Sequence, residues 1–229
     1  MISKVVESVD AAVADITDGA TLMLSGFGMA GHPTELVEAV HRLGVRELTV
    51  INNNAGNGDR GLAMLIRDSR VRKMICSFPR QGDSWHFDAQ YRSGAVELEL
   101  VPQGTLAERI RAAGAGIGGF FTRTAAGTQL AEGKETRTID GHEYVYEQPL
   151  FADFALVRAW ASDPKGNLIY RKTARNFGPV MASAATTTIA EVAFIVERGD
   201  LDPDHIVTPG VFVDRVVAIS SANPHEVHP

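Results

Sequence analysis

The run Asp18-Gly19-Ala20-Thr21-Leu22-Met23-Leu24-Ser25-Gly26-Phe27-Gly28-Met29-Ala30-Gly31-His32-Pro33 constrains the fold of this 229-residue chain more than any other stretch. Asp18-Gly19 is a turn signal, Thr21 to Leu24 are apolar or β-branched as in a buried strand, and Pro33 stands where a helix Thr34 to Val40 begins. A strand that passes through glycines into a helix reads as a cradle for an anionic ligand. Glycines let backbone N–H groups approach phosphate closely, and a helix N-terminus behind them adds a favourable dipole. Gly26, Gly28 and Gly31 also spell G-x-G-x-x-G. A dinucleotide fold answers that loop with an Asp or Glu at the end of the second strand. Here the second strand, Leu48 to Ile51, ends in Asn52-Asn53-Asn54-Ala55-Gly56 with no acid before Asp59, which disfavours a nicotinamide enzyme.

Downstream, the helical and strand periodicities alternate. Val5, Val6, Val9, Val13 and Ile16 share a helix face, followed by strand 21–25, helix 34–43, strand 47–51, helix 60–68, strand 71–76, a helix near 84–92 and strand 95–101. Repeated β-α units predict an α/β fold with a mainly parallel sheet flanked by helices, and ligands bind such sheets beyond the strands' carboxyl ends. Ser25 to Gly31, Asn52 to Gly56, Ser77 to Gly82 and Pro102-Gln103-Gly104 all fall at those ends, so four segments converge on one cleft.

In the second half, Gly114 to Gly119 reads as backbone packed closely against a neighbour, and Arg137-Thr138-Ile139 with Tyr144-Val145-Tyr146 as an added β-hairpin. Phe151 to Trp160, Leu168 to Arg171, Ile189 to Glu197 and Val211 to Ile219 complete the strands, and Asn223 to Pro229 is expected to fray. One domain over residues 1–229 is expected.

A net charge of −6 without a Lys/Arg block excludes a nucleic-acid footprint, so an anionic ligand must be held by a local arrangement. Cys76 is the only cysteine, which rules out an internal disulfide and a multi-cysteine metal site and fits a reducing compartment. With no run long enough to span a bilayer and no leader pattern at Met1-Ile2-Ser3-Lys4, a cytoplasmic protein without membrane contact is expected.

Asp18, Gly19, Leu22, Met23, Leu24, Gly26, Phe27, Gly31 and Pro33 fit the N-terminal signature of family I coenzyme A transferases, whose A (α) subunit this chain resembles. Ser25 departs from it, standing where the first Gly of Gly-Gly-Phe is usual. The resemblance continues through Asn53 to Gly56, Pro102 to Arg111, Asp153 to Val157 and Arg171 to Phe177. It implies exchange of coenzyme A between two carboxylic acids: a glutamate attacks the acyl-CoA, forms a mixed anhydride and then holds coenzyme A as a thioester. In the family that glutamate lies in a Ser-Glu-Asn-Gly motif of the B (β) subunit. Ala131-Glu132-Gly133 and Val196-Glu197-Arg198-Gly199 are the nearest imitations here, and both lack the Asn. The implied protein is therefore half an enzyme. A partner B chain, in a heterodimer or heterotetramer, brings the nucleophile; coenzyme A thioester is a substrate, with no permanent cofactor and no metal.

By the same resemblance Gln103 stabilises negative charge on the acyl oxygen, Asn53 and Asn54 contact substrate, and Ser25, Gly26, Phe27, Gly28, Met29, Ala30 and Gly31 bind coenzyme A. Without it, the asparagines read as turn formers after a strand. Cys76 to Gln81, Gly133 to Arg137 and Asn176 to Pro179 resemble the family's 3-oxoadipate enzymes more than its ketone-body enzymes. That implies 3-oxoadipate as acceptor and succinyl-CoA as donor, with acetoacetate as the alternative. Arg80 either pairs with the second carboxylate of 3-oxoadipate or is a solvated loop charge. Arg109, Arg171, Lys172 and Arg175 read either as contacts to coenzyme A phosphates or as solvated or ion-paired charge. His86 reads as a packed or surface histidine and Cys76 as a buried thiol, and no G-x-S-x-G pattern makes Ser25 a hydrolase nucleophile. A phosphate-binding regulatory or isomerase-type α/β protein is the reading from a different class; an isomerase needs its own acid/base carboxylate in the cleft.

Overall fold

A computed structural model describes residues 3–219; the expected fraying at Asn223 to Pro229 lies outside them. The first half runs α1 (Val9–Val13), β1 (Thr21–Leu24), α2 (Thr34–Leu43), β2 (Leu48–Ile51), α3 (Leu62–Arg67), β3 (Val71–Cys76), α4 (Trp85–Arg92), β4 (Glu97–Leu100) and α5 (Gln103–Gly114). Next come β5 (Phe120–Thr122), β6 (Thr136–Ile139), β7 (His142–Glu147), β8 (Ala152–Ser162), β9 (Leu168–Ile169), α6 (Gly178–Ala182), β10 (Ala185–Ile195) and β11 (Arg215–Ala218). The main sheet has the order β11-β10-β8-β1-β2-β3-β4 and is parallel along that path, with β9 antiparallel on β8. β5, β7 and β6 make a small antiparallel sheet, and it contains the expected hairpin.

Strand periodicity divides the core into two layers. Leu22 and Leu24 of β1, Val50 of β2, Met74 and Cys76 of β3 and Leu156 of β8 face one layer, where Val13, Leu36, Val40, Leu62, Leu65 and Phe87 cover them. Met23, Ile51, Ile75, Ala155 and Val157 face the other, packed on Leu106 and Ile110 of α5 and Met181 of α6. Helices therefore cover both faces, and the carboxyl ends of the strands remain the open edge.

Three local outcomes bear on the periodicity. Val5 forms a parallel bridge with Val216, so only Val9–Val13 is helical, capped by the Ser8 hydroxyl accepting from Ala11 N. The last strand starts at Arg215, because Pro209 introduces a 3-10 turn over Gly210–Phe212. Gly114 and Gly119 are packing positions as expected: added side chains would collide with Ser183 and with the Tyr146 ring.

Candidate active site

Side-chain amides stitch the strand ends together. Asn52 donates from Nδ2 to Leu24 O of β1 at 2.6 Å, which fixes the loop after β2 against the loop after β1. Asn53 Oδ1 accepts from Ser77 Oγ at 2.8 Å and from Gln103 Nε2 at 2.7 Å, so one amide oxygen ties β2 to the ends of β3 and β4. Asn53 is 1% exposed, whereas Gln103, the first residue of α5, is open to solvent. Gln103 is thus the exposed member of the pair, and Asn53 is the buried post that holds it. Asn54 is also buried; its Oδ1 accepts from Gly56 N, and its Nδ2 has no protein partner. A buried amide donor without a partner is costly unless a ligand or water takes it.

The glycine loop is a tight turn in which Phe27 and Ala30 exchange backbone hydrogen bonds of 3.0 and 3.3 Å. Its residues divide into two groups. Ser25 is fully buried: its hydroxyl donates to Gly31 O at 2.7 Å and accepts from Arg158 N at 3.1 Å, which leaves it no freedom as a nucleophile. Gly26 N donates to Asn176 Oδ1 at 3.1 Å, and a Cβ on Gly31 would run into the Ala174 carbonyl. Gly28 has φ +60°, and a Cβ there would meet nothing within 4 Å. Phe27, Met29 and Ala30 are exposed. The face available to a ligand is therefore 27–30, while Ser25, Gly26 and Gly31 shape it from inside.

The helix behind the loop does not offer a free dipole. Glu191 of β10 is fully buried and accepts from Leu36 N at 2.9 Å and from Arg158 Nη1 at 3.1 Å, so a carboxylate of the chain already occupies the α2 N-terminus. Burial pushes its pKa up to about 7, against the lowering from the Leu36 amide and Arg158. His32, also buried, is held down to about 4 by desolvation and then by the Arg158 charge. At the cleft, α5 starts at Gln103 with no side-chain cap and with Gln103 and Gly104 exposed. A negative charge placed near Gln103 would meet the positive end of that helix.

Arg80 is exposed, and its guanidinium is engaged twice by Asp88, at 2.7 and 2.8 Å. Arg109 is internal: it donates to Glu99 at 2.8 Å and to Gln148 O at 2.8 Å, joining α5 to β4 and to the segment before β8. His86 Nε2 pairs with Asp59 at 2.7 Å, and the buried Cys76 thiol is pushed up to about 12 by desolvation. The four cleft segments, 25–31, 52–56, 77–82 and 102–104, contain no Asp or Glu. These walls hold amides, hydroxyls and free backbone but no carboxylate nucleophile. Among the described residues no His/Cys/Asp/Glu cluster suits a metal ion, and no helix is long and apolar enough to cross a membrane.

The sequence places Ser77 at a strand end and Asn176 in a matched stretch but does not reveal the partners of Ser77, Asn176 or Glu191. Ser77, Asn176 and Glu191 act across 24, 150 and 155 positions respectively, and only the order of strands brings their partners near. A buried-type strand carrying a glutamate, as in Ile189-Ala190-Glu191-Val192, is the one available signal.

The family model for coenzyme A transferase matches residues 6–218. The chain belongs to the coenzyme A transferase family. Over 222 residues it is 62% identical to the A subunit of the 3-oxoadipate CoA-transferase of Pseudomonas putida, covering 97% of this chain and 96% of that one. The corresponding chain of Acinetobacter baylyi is 55% identical over 96% of this one and 97% of its own length. The A subunit of a succinyl-CoA:3-ketoacid coenzyme A transferase of Xanthomonas campestris pv. campestris is 52% identical over 88% of this chain and 83% of its own. The fold matches the acyl-CoA transferase apoenzyme of Escherichia coli O157:H7 with a TM-score of 0.84 at 24% identity, over 94% of this coenzyme A transferase chain and 47% of that longer one. Glutaconate coenzyme A-transferase of Acidaminococcus fermentans also gives 0.84, at 22% identity, over 95% of this chain and 76% of that one.

Proposed function

We propose that this chain is the A (α) half of a two-chain 3-oxoadipate CoA-transferase that moves coenzyme A from succinyl-CoA to 3-oxoadipate. The observation that carries the substrate is the near full-length likeness to the two 3-oxoadipate enzymes. The absence of Asp and Glu from the four cleft segments supports a nucleophile on a B partner, and it counts against an isomerase, which needs its own cleft carboxylate. In this reading the partner's glutamate attacks the succinyl carbonyl, the mixed anhydride forms as the thiolate leaves, and the thiolate returns to make a glutamyl-CoA thioester with release of succinate. The carboxylate of 3-oxoadipate then repeats the sequence in reverse. Gln103 donates to the carbonyl oxygen as charge builds there, Asn53 holds Gln103, Asn54 reaches substrate only if its buried Nδ2 is uncovered on binding, and residues 27–30 line the coenzyme A path. The whole chain acts as one transferase domain, in a cytoplasmic heterodimer or heterotetramer.

Arg80 would meet the distal carboxylate of 3-oxoadipate by exchanging Asp88 for it, since two of its nitrogens are already engaged. The likeness to succinyl-CoA:3-ketoacid transferases keeps acetoacetate as the second reading. Steady-state kcat/KM with each acceptor on the assembled enzyme separates the two: preference for 3-oxoadipate is expected, and preference for acetoacetate overturns the substrate. A preference that survives Arg80→Ala rejects the role of that arginine alone.

A further inference from the structure

Arginines of this chain are mostly tied to carboxylates, as Arg42 is to Asp10, Arg60 to Glu38, Arg67 to Asp68 and Arg215 to Asp15. The segment after β9 is different. Arg171, Lys172 and Arg175 are all exposed, and none has a carboxylate partner among the described residues. Arg171 lies instead over the Trp160 ring, 4.7 Å from its centroid. Three unpaired cations thus fall within five residues of a chain whose net charge is −6.

These cations are fastened to the glycine loop. Asn176 Oδ1 accepts from Gly26 N at 3.1 Å, Asn176 Nδ2 donates to Ala30 O at 2.8 Å, and Gly31 has no side chain because the Ala174 carbonyl occupies that space. Loop and basic segment therefore form one rigid lip of the cleft. Lys172 adopts φ +54°, a left-handed conformation that a side chain disfavours and glycine would accept.

We propose that Lys172 and Arg175, with Arg171 braced on Trp160, form the subsite for the phosphate groups of the coenzyme A thioester. The subsite rests on the transferase reading and adds to it the residues that recognise the nucleotide end of the substrate. On the loop half of this lip, the exposed Phe27 and Met29 offer apolar contact to the uncharged arm that links phosphate to thioester. Arginine matches phosphate through paired N–H donors and lysine as a point charge.

The test uses the assembled enzyme and two donors, succinyl-CoA and succinyl-pantetheine, which lacks every phosphate. Lys172→Gly removes the charge and relieves the backbone, so its effect is not one of misfolding; it is combined with Arg175→Gln. The double variant should raise KM for succinyl-CoA about 10-fold or more, the weight of a lost charge-assisted hydrogen bond, with kcat little changed. KM for succinyl-pantetheine should stay put, and the rise of KM for succinyl-CoA with added salt should flatten. Equal changes for both donors, or none for succinyl-CoA, overturn the subsite. Loss of assembly with the B chain also overturns it, by assigning the cations to a protein contact. A wild-type complex that transfers from neither donor refutes the transferase reading itself, and the subsite with it.

Discussion

At the scale of single residues, the cleft separates exposed groups from the buried groups that hold them. Gln103 is exposed and leads α5, so Gln103→Ala should lower kcat by about one to three orders of magnitude in an intact heteromer, the usual cost of one lost oxyanion donor. Unchanged turnover would make Gln103 a structural residue. Ser77→Ala removes one of the two donors on Asn53 Oδ1 without touching the exposed face, so it should lower kcat by a smaller factor, on the order of 10-fold, with KM for succinyl-CoA unchanged and with rescue by Ser77→Thr. A rise in KM without loss of kcat would reject that role. The glycines separate in the same way. Gly31→Ala drives a Cβ into the Ala174 carbonyl and should reduce stability by a few kcal/mol, visible as a lower urea midpoint. Gly28→Val faces open space, so its cost to the fold is limited to backbone strain of about 1–2 kcal/mol, and its main effect should be weaker coenzyme A binding.

At the scale of elements, the junction of α2 with β8 and β10 carries two titrations of opposite sign. Glu191 is raised from 4.5 to about 7, so the folded state holds its proton more tightly than the unfolded chain does. Stability from this group is full below about pH 4.5 and is lost as pH rises to 7, on the order of 3 kcal/mol in all. His32 is lowered from 6.5 to about 4, so its contribution is full above 6.5 and is lost as pH falls toward 4. The two slopes oppose each other between about 4.5 and 6.5, which hides both in the native protein. Glu191→Gln keeps a neutral amide oxygen as acceptor for Leu36 N, gives up the charge facing Arg158, and removes the titration. The urea-unfolding free energy of the variant relative to the native chain should therefore rise steadily from pH 4.5 to 7 and level off above. A flat difference would show that Glu191 does not titrate there. Little of this junction is legible in sequence. Successive β-α units are, because Leu22, Leu24, Leu36, Val37 and Val40 carry periodicities of 2 and 3.6 in unbroken order. So is the cleft edge, since Gly26, Asn53, Ser77 and Gln103 each follow a strand. That Glu191 caps α2 depends on β10 lying two strands from β1, which local pattern cannot specify. The short α1 departs from its longer periodic pattern because Val5 and Val6 suit a strand bridge as well as a helix face.

At the scale of the whole molecule, the rim of the cleft is more apolar than a free surface requires. Phe27, Met29 and Phe78 are each more than half exposed, on the loops that follow β1 and β3 and next to the buried Asn53. With Phe27 and Met29 proposed to meet the coenzyme A arm, the exposed Phe78, beside a site with no acid of its own, suits contact with the proposed partner chain. The purified chain should accordingly show no coenzyme A exchange with any concentration of succinyl-CoA and 3-oxoadipate, and addition of its B chain should restore turnover. Incubating the mixed enzyme with succinyl-CoA and then reducing with borohydride should modify the B chain and leave this one unlabelled, because a thioester forms only on the carboxylate that attacked. Turnover by the isolated chain, or label on Glu132 or Glu197, the glutamates of the two imitation motifs, would place the nucleophile here and end the division of labour between the two chains.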